Sequence, residues 1–417
     1  MKDATLIIYN ANEVCTLDNG GQGLRTGAAM DNLNVIEKGA IALVEDVIVG
    51  VGTTEEILDS FRAETQIDGT GTVLMPGFVD PHTHVVFAGS REHEFEMRLR
   101  GESYMEIAAA GGGIRSSMRA TRAASVTQLI EESIPRLNRM LAWGTTTIEA
   151  KSGYGLELET ELRQLEAIRE LHKQHEIDLV PTFLGAHEIP DEYRDHVDEY
   201  VRIVIEEMIP AVVERGLAAY CDVFCEAGVF NIDQSRAILQ AAKAAGLKVR
   251  LHADEFVDLG GAMLAAELQA ISADHLLAIS DEGIQAMQEA GVIATLLPGT
   301  TFSLGKKEYA PARKMIDAGL PIALATDCNP GSCYTESMQI IIALACTQMR
   351  MTPAEAITAS TLNAAHALEL GDHIGSLSVG KQADIVVFDM PSYRTLPYHF
   401  GVNHVRFVIK RGEVITV

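Results

Sequence analysis

The chain has 417 residues, 47% of them hydrophobic, so it can bury a large core and exceeds the length of one small domain. Its 58 acidic residues against 33 basic ones leave a net charge of −25. A field of that sign repels phosphate backbones and anionic lipid and so argues against nucleic-acid and membrane partners, while a local arginine can still hold a small anionic substrate.

Cys15, Cys221, Cys225, Cys328, Cys333 and Cys346 are too few for a disulfide framework in a chain this long, and the Cys221/Cys225 pair has no second pair to complete a zinc site. Buried free thiols are expected. The start MKDATLIIYN carries acid beside its short apolar run, which makes a poor signal peptide, and no run reaches the ~20 apolar residues of a membrane span. The expectation is a cytoplasmic protein.

In chain order, residues 1–72 read as short β-like runs with turn residues between them: ATLIIYNA, AIALVEDVIVGVG and the polar FRAETQIDGTGT. Residues 371–417 return to that style in ADIVVFD and VRFVIKRGEVITV. Neither end makes a convincing core alone, so both are expected to pair as one small β-sandwich-like domain. Residues 73–370 alternate apolar runs with helical stretches. The runs are VLMPGFVDPHTH, TTTIEA, DLVPTFLGAHE, YCDVFCEAG, KVRLHADE, ISADHL, VIATLLPG and IALATDCN. Continuous rather than alternating apolar runs suit parallel strands covered on both faces.

Between the first two runs, residues 125–143 place Val126, Leu129, Ile130, Ile134, Leu137, Met140 and Leu141 on one helical stripe. Ser125 and Gln128 form a capping-box pattern at its start, and Gly144 stops it. Thr352, Pro353 and Glu355 open a later helix in the same way. Eight β/α repeats closing into a (β/α)8 TIM barrel is the simplest α/β topology.

In such a barrel the active site lies at the C-terminal ends of the strands. Those ends carry His82 and His84, then His187 and Glu188, His252 with Asp254 and Glu255, Asp274 and His275, and Asp327. His82 and His84 are two apart, so on a strand both face the same side and can converge on one cation. With His252 and Asp327 at two further ends, the set is three imidazoles and one carboxylate, suited to a single divalent ion such as Zn²⁺ or Fe²⁺. Such an ion makes hydroxide available at neutral pH. A second metal would normally need a bridging group such as a carboxylated lysine on strand four, and AYCDVFCEAG has none.

The segments PGFVDPHTH, HADE, SADH and ATDCNPGS, with the GSLSVGKQADIVVFD tail, together resemble the amidohydrolase superfamily over nearly the whole chain. Within it the chain is most similar to the imidazolonepropionase family. FAGSREHE, AAAGGGIRSSMRATR, EAKSGYG, FLGAHEIP, HADEF, LLPGTTF and TDCNPGS carry that likeness. The resemblance implies hydrolysis of the lactam C–N bond of 4-imidazolone-5-propanoate to N-formimidoyl-L-glutamate, in histidine degradation. It also implies one metal per subunit on His82, His84, His252 and Asp327.

The same resemblance gives roles to other residues. Glu255 would position water or shuttle a proton to the leaving nitrogen, against the plain reading of a loop carboxylate. His275 would orient the nucleophile or hydrogen-bond Asp327, unless it is a structural histidine; with Asp327 these make the catalytic set. Arg91 suits bidentate capture of the substrate carboxylate, whereas the residues alone allow an ion pair with Glu92 or Glu94. Tyr154 would share that carboxylate. His187 would donate to the carbonyl oxygen or a ring nitrogen. Asn329, Gly331 and Ser332 would read the substrate's polar edge, though Asn and Ser also form ordinary turns. Arg115, after three glycines, would help hold the anion in a lid.

Two rival functions use the same chain. A deaminase acting on an aminated ring would keep the ligands and Glu255 but has no need of Arg91 with Tyr154. A non-catalytic scaffold would purify without stoichiometric metal. Barrels of this size with an appended β-domain often pair, so a homodimer is the expected assembly.

Overall fold

The structure is a computed structural model that describes residues 1–18, 20–102 and 112–415. Residues 108–111 of the AAAGGGIRSSMRATR motif lie outside the described residues. Among the described residues no helix is long and apolar enough to cross a membrane.

The central sheet follows the eight apolar runs. Its strands are Phe78–Asp80, Thr145–Lys151, Asp178–Ala186, Tyr220–Cys225, Lys248–Val249 continued by Leu251–Ala253, Ser272–His275, Ile293–Leu296 and Ile322–Leu324. Each pairs in parallel with the next. Parallel bridging of Thr83 with Cys328 brings the first and last strands together, so the sheet closes into a (β/α)8 barrel. Ile148, Val223, Leu251, Ala294 and Leu324 are buried, as strands covered on both faces require.

The first run divides. Val73–Pro76 joins the small sheet, parallel to Lys2–Cys15 and antiparallel to Ile385–Phe388, and only Phe78–Asp80 enters the barrel. One run of apolar residues serves two sheets because a buried strand has the same composition in either.

The helix Val126–Ala142 buries Leu129, Leu137, Met140 and Leu141, with Val126, Ile130 and Ile134 packed at the edge. Ser125 accepts from the Gln128 backbone N–H, but the Gln128 side chain turns to Glu132 at 2.8 Å, so only half of the expected box forms. Gly144 ends the element at φ +95°, a conformation a side chain strains. At Thr352 the full capping box is present, with Pro353 opening the helix Pro353–Ala359.

Both chain ends build one eight-stranded sheet. Lys2–Cys15 pairs antiparallel with Val35–Val44 and parallel with Phe61–Asp68, and the C-terminal strands Ile385–Phe388, Val405–Lys410 and Glu413–Ile415 extend it beyond Val73–Pro76. Alternate residues of the long strand face opposite sides: Leu6 and Ile8 join a core with Ile41, Leu74, Ile385 and Ile409, while Ile7 packs with Ala42 and Phe61. Buried Lys410 fixes this sheet to the barrel through Asp178 at 2.7 Å, and within the small sheet it also pairs with Asp384, beside Ile385, at 2.6 Å. All six cysteines are free, and five are buried.

Candidate functional site

The barrel's closure assembles the metal-type residues. The His84 amide donates to the Cys328 carbonyl at 3.0 Å and the Asp327 amide to the His82 carbonyl at 3.1 Å, which sets Asp327 beside the His82-Thr83-His84 segment. Asp327 (φ +54°) and His275 (φ +77°) lie in the left-handed region, a cost of ~1–3 kcal/mol each that strand-end packing sustains. Ring nitrogens of His82, His84 and His252 all lie within 4.8 Å of one another, and all three residues are buried. Asp327 Oδ1 stands 3.7 Å from His82 Nε2 and 3.6 Å from His84 Nε2. Two ligands on a tetrahedral cation at ~2.1 Å are about 3.4 Å apart, close to those spacings.

The hydrogen-bond ledger fits a cation. His82 Nδ1 donates to Asp274 Oδ2 at 2.6 Å and His252 Nδ1 to Asp222 Oδ1 at 3.1 Å. Each ring thereby turns its Nε2 inward, and both Nε2 atoms are buried without a hydrogen-bond partner among the described residues. Orphaned polar atoms are costly in a core, and a divalent ion satisfies these at once. Burial, then the Lys151 charge, holds the His82 pKa well below the ordinary imidazole value; burial, then His187, does the same to His84. At His252 burial, the largest single influence, opposes the proton, but the charge and the hydrogen bond of Asp222 together leave the pKa raised. Burial pushes the Asp327 carboxyl up to about 6, and Thr300 Oγ1 donates to its Oδ2 at 2.5 Å.

Above these residues opens a cavity of about 460 Å³ whose walls include Arg91, Arg98, Tyr154, His187, Glu255 and Asn329. Glu255 is buried, and its carboxyl is pushed up to about 8 by that burial and then by the Asp327 charge. His275 Nε2 lies 3.8 Å from Glu255 Oε2; among the described residues no hydrogen bond joins His275 to Asp327. Burial lowers the His187 pKa to about 3, so its ring is neutral. Its Nδ1–H donates to the Gly153 carbonyl at 2.9 Å, which leaves Nε2 as an acceptor rather than the donor expected from sequence. Tyr154 is buried against His84, His187 and Phe87, and burial raises its phenol pKa.

Arg91 lines the cavity and is also ion-paired. Its Nε and Nη2 donate to Glu94 Oε2 at 3.0 and 2.8 Å, which is the ion pair the residues alone allowed, and the side chain stands in the cavity wall as well. Asn329 folds its own turn: its Oδ1 accepts the Gly331 and Ser332 amides, both at 2.8 Å. Those amides are thus committed within the loop, although Asn329, Gly331 and Ser332 all line the cavity. Arg115 Nε pairs with Asp191 at 3.0 Å and is not among the cavity's lining residues.

Sequence reasoning passed over several residues here. Arg98 lines the cavity and donates to the Gly331 carbonyl at 3.0 Å. Asp222, Glu149, Lys151 and Arg250 join the strand-end Asp274 in a fully buried charged layer beneath the histidines. Their signal was charge inside otherwise apolar strands, since such residues are rarely buried unless paired.

The family model described as "Amidohydrolase family" matches residues 73–417. A protein of Alkaliphilus metalliredigens named imidazolonepropionase is 53% identical over 412 residues, 98% of this chain and 97% of that one. A protein of the same name from Parabacteroides distasonis is 50% identical over 416 residues, 99% of each chain. Among solved structures, an adenosine deaminase from Xanthomonas campestris with bound zinc aligns at TM-score 0.73 and 21% identity, over 100% of this chain and 94% of that one. An A. niger ochratoxinase aligns at TM-score 0.70 and 18% identity, over 100% and 96%. These structural likenesses concern the barrel and its appended sheet. The chain belongs to the amidohydrolase family and, within it, to the imidazolonepropionases.

Proposed function

We propose that this chain is a metal-dependent hydrolase that opens the lactam C–N bond of 4-imidazolone-5-propanoate to give N-formimidoyl-L-glutamate. The observation that carries the reading is one cavity lined by His84, by His252 with its orphaned Nε2, by Asp327, by the buried carboxyl of Glu255 and by the Arg91 guanidinium. His82, His84, His252 and Asp327 would hold one Zn²⁺ or Fe²⁺ ion. When bound, that ion supplies Lewis-acid activation of water and of the lactam carbonyl.

The remaining steps fall to the chain's own side chains. Arg91, pinned by Glu94, and Tyr154 hold the propionate carboxylate. The bare Nε2 of His187 accepts a ring N–H and sets the ring's orientation. Glu255 takes a proton from the attacking water; oxygen bonds to the lactam carbon, the C–N bond breaks, and Glu255 returns the proton to the departing nitrogen. His275, beside Glu255, keeps the carboxyl turned toward the cavity. The free thiols support a reducing, cytoplasmic setting.

The test is loss of ultraviolet absorbance of freshly generated 4-imidazolone-5-propanoate, before and after chelation. Turnover that stops on chelation and returns with Zn²⁺ or Fe²⁺ is expected. A metal-loaded chain without turnover would refute the reading, and ammonia release from an aminated ring would replace it with deamination.

A further inference from the structure

The charged layer under the histidines is costly, and its geometry has a direction. Glu149, Lys151, Asp222, Arg250 and Asp274 all have 0% side-chain exposure. Lys151 Nζ lies 2.6 Å from Glu149 Oε1 and 2.6 Å from Asp222 Oδ2. Each of those carboxylates uses its other oxygen on the cation site. Asp222 Oδ1 accepts from His252 Nδ1 at 3.1 Å and from the His252 amide at 3.2 Å. Glu149 Oε2 accepts from the amide of Thr83, the residue between His82 and His84, at 3.2 Å. The strand carrying Lys151 is stitched to the same segment: its amide donates to the Thr83 carbonyl at 3.0 Å, and Thr83 Oγ1 donates to the Glu149 carbonyl at 2.6 Å.

We infer that Lys151 is a positioning residue for the cation site: one ammonium holds Asp222 against His252 and is anchored through Glu149 to the His82-Thr83-His84 segment. This rests on the reading of those histidines and Asp327 as metal ligands. An apolar side chain would fill the same space without the desolvation cost of a buried charge. What it could not supply is two directed bonds that fix both carboxylates and, through Asp222, the ring rotation of His252. A carboxylate free to rotate would leave His252 Nδ1–H unoriented and its Nε2 aimed away from the other ligands. Partners of this kind typically govern 10- to 100-fold in metal affinity.

The readout is Zn²⁺ retention in competition with a chelator of known affinity, measured with the full chain and independent of turnover. Lys151→Met is expected to weaken retention 10- to 100-fold. Lys410→Met is the structural control, because Lys410 is an equally buried ammonium between two carboxylates but lies in the small sheet. It should lower Tm and leave retention unchanged. Retention as in the unmodified chain for Lys151→Met, or equal weakening in both variants, overturns the inference. If Lys151→Met does not fold, the charge-balanced double variant Lys151→Met/Asp222→Asn decides against Asp222→Asn alone. Equal retention in those two is expected if Lys151 acts through Asp222; a further tenfold loss in the double variant overturns that route. An unmodified chain that takes up no Zn²⁺ fails at an earlier point, the ligand assignment itself.

Discussion

Gly331→Ala isolates the pinned arginine in the cavity wall. A Cβ built on Gly331 would stand 2.2 Å from Arg91 Nη1, 2.9 Å from Cζ and 3.3 Å from Nη2, where ordinary contact begins at 3.4 Å. The guanidinium must therefore retreat by about 1.2 Å, the difference between those limits. A flexible side chain end could do so cheaply if it were free, but Glu94 holds it at 3.0 and 2.8 Å, and the pair is only 13% and 2% exposed. A shift of that size breaks at least one of the two bonds and re-aims the group. Hydrogen bonds to charged partners contribute ~1.5–3 kcal/mol each, and partial resolvation into the cavity leaves a net loss of about 2 kcal/mol. At 1.4 kcal/mol per tenfold, KM for 4-imidazolone-5-propanoate should rise about 30-fold, with kcat changed far less because no reacting atom moves. The ultraviolet assay gives both constants. In a Glu94→Ala background the guanidinium can step aside, and adding Gly331→Ala should change KM less than threefold. An unchanged KM for Gly331→Ala, or the same penalty with and without Glu94, would refute the reasoning.

Glu255→Gln should keep one metal per chain by atomic absorption and lose ~10²- to 10⁴-fold in kcat, the range for a lost general acid or base; full turnover would remove Glu255 from the proton path. Thr300→Val removes the 2.5 Å bond to Asp327 Oδ2 and should weaken metal retention about tenfold in the chelator titration, and retention unchanged would make Thr300 a bystander.

The barrel was legible because eight strands covered on both faces must be apolar along their whole length, a property of composition that needs no long-range information. The convergence of His82, His84 and His252, with Asp327 beside them, was legible for a related reason: His82 and His84 share a strand face by period, and His252 and Asp327 fall at strand ends. Legibility stopped where partners are remote or a residue has two uses. Asp274 lies 192 residues from the His82 it orients, and Asp222 lies 71 from Lys151. In sequence these were single charges in apolar runs. The two readings of Arg91 could not be separated because its bonds to Glu94 are local, whereas its place in the cavity wall depends on the closed barrel.

Local chemistry therefore determined the fold class, the helix starts at Ser125 and Thr352, and which side chains could bind a cation. Tertiary structure alone decided which nitrogen each ring presents. Asp274 and Asp222 turn His82 and His252 so that Nε2 faces inward, and Gly153 claims the His187 Nδ1 proton and leaves an acceptor. It also committed the Gly331 and Ser332 amides to Asn329 and gave Val73–Pro76 to the small sheet. A side chain's type limits the bonds it can make, but the direction of each bond depends on partners that only the closed barrel brings within reach.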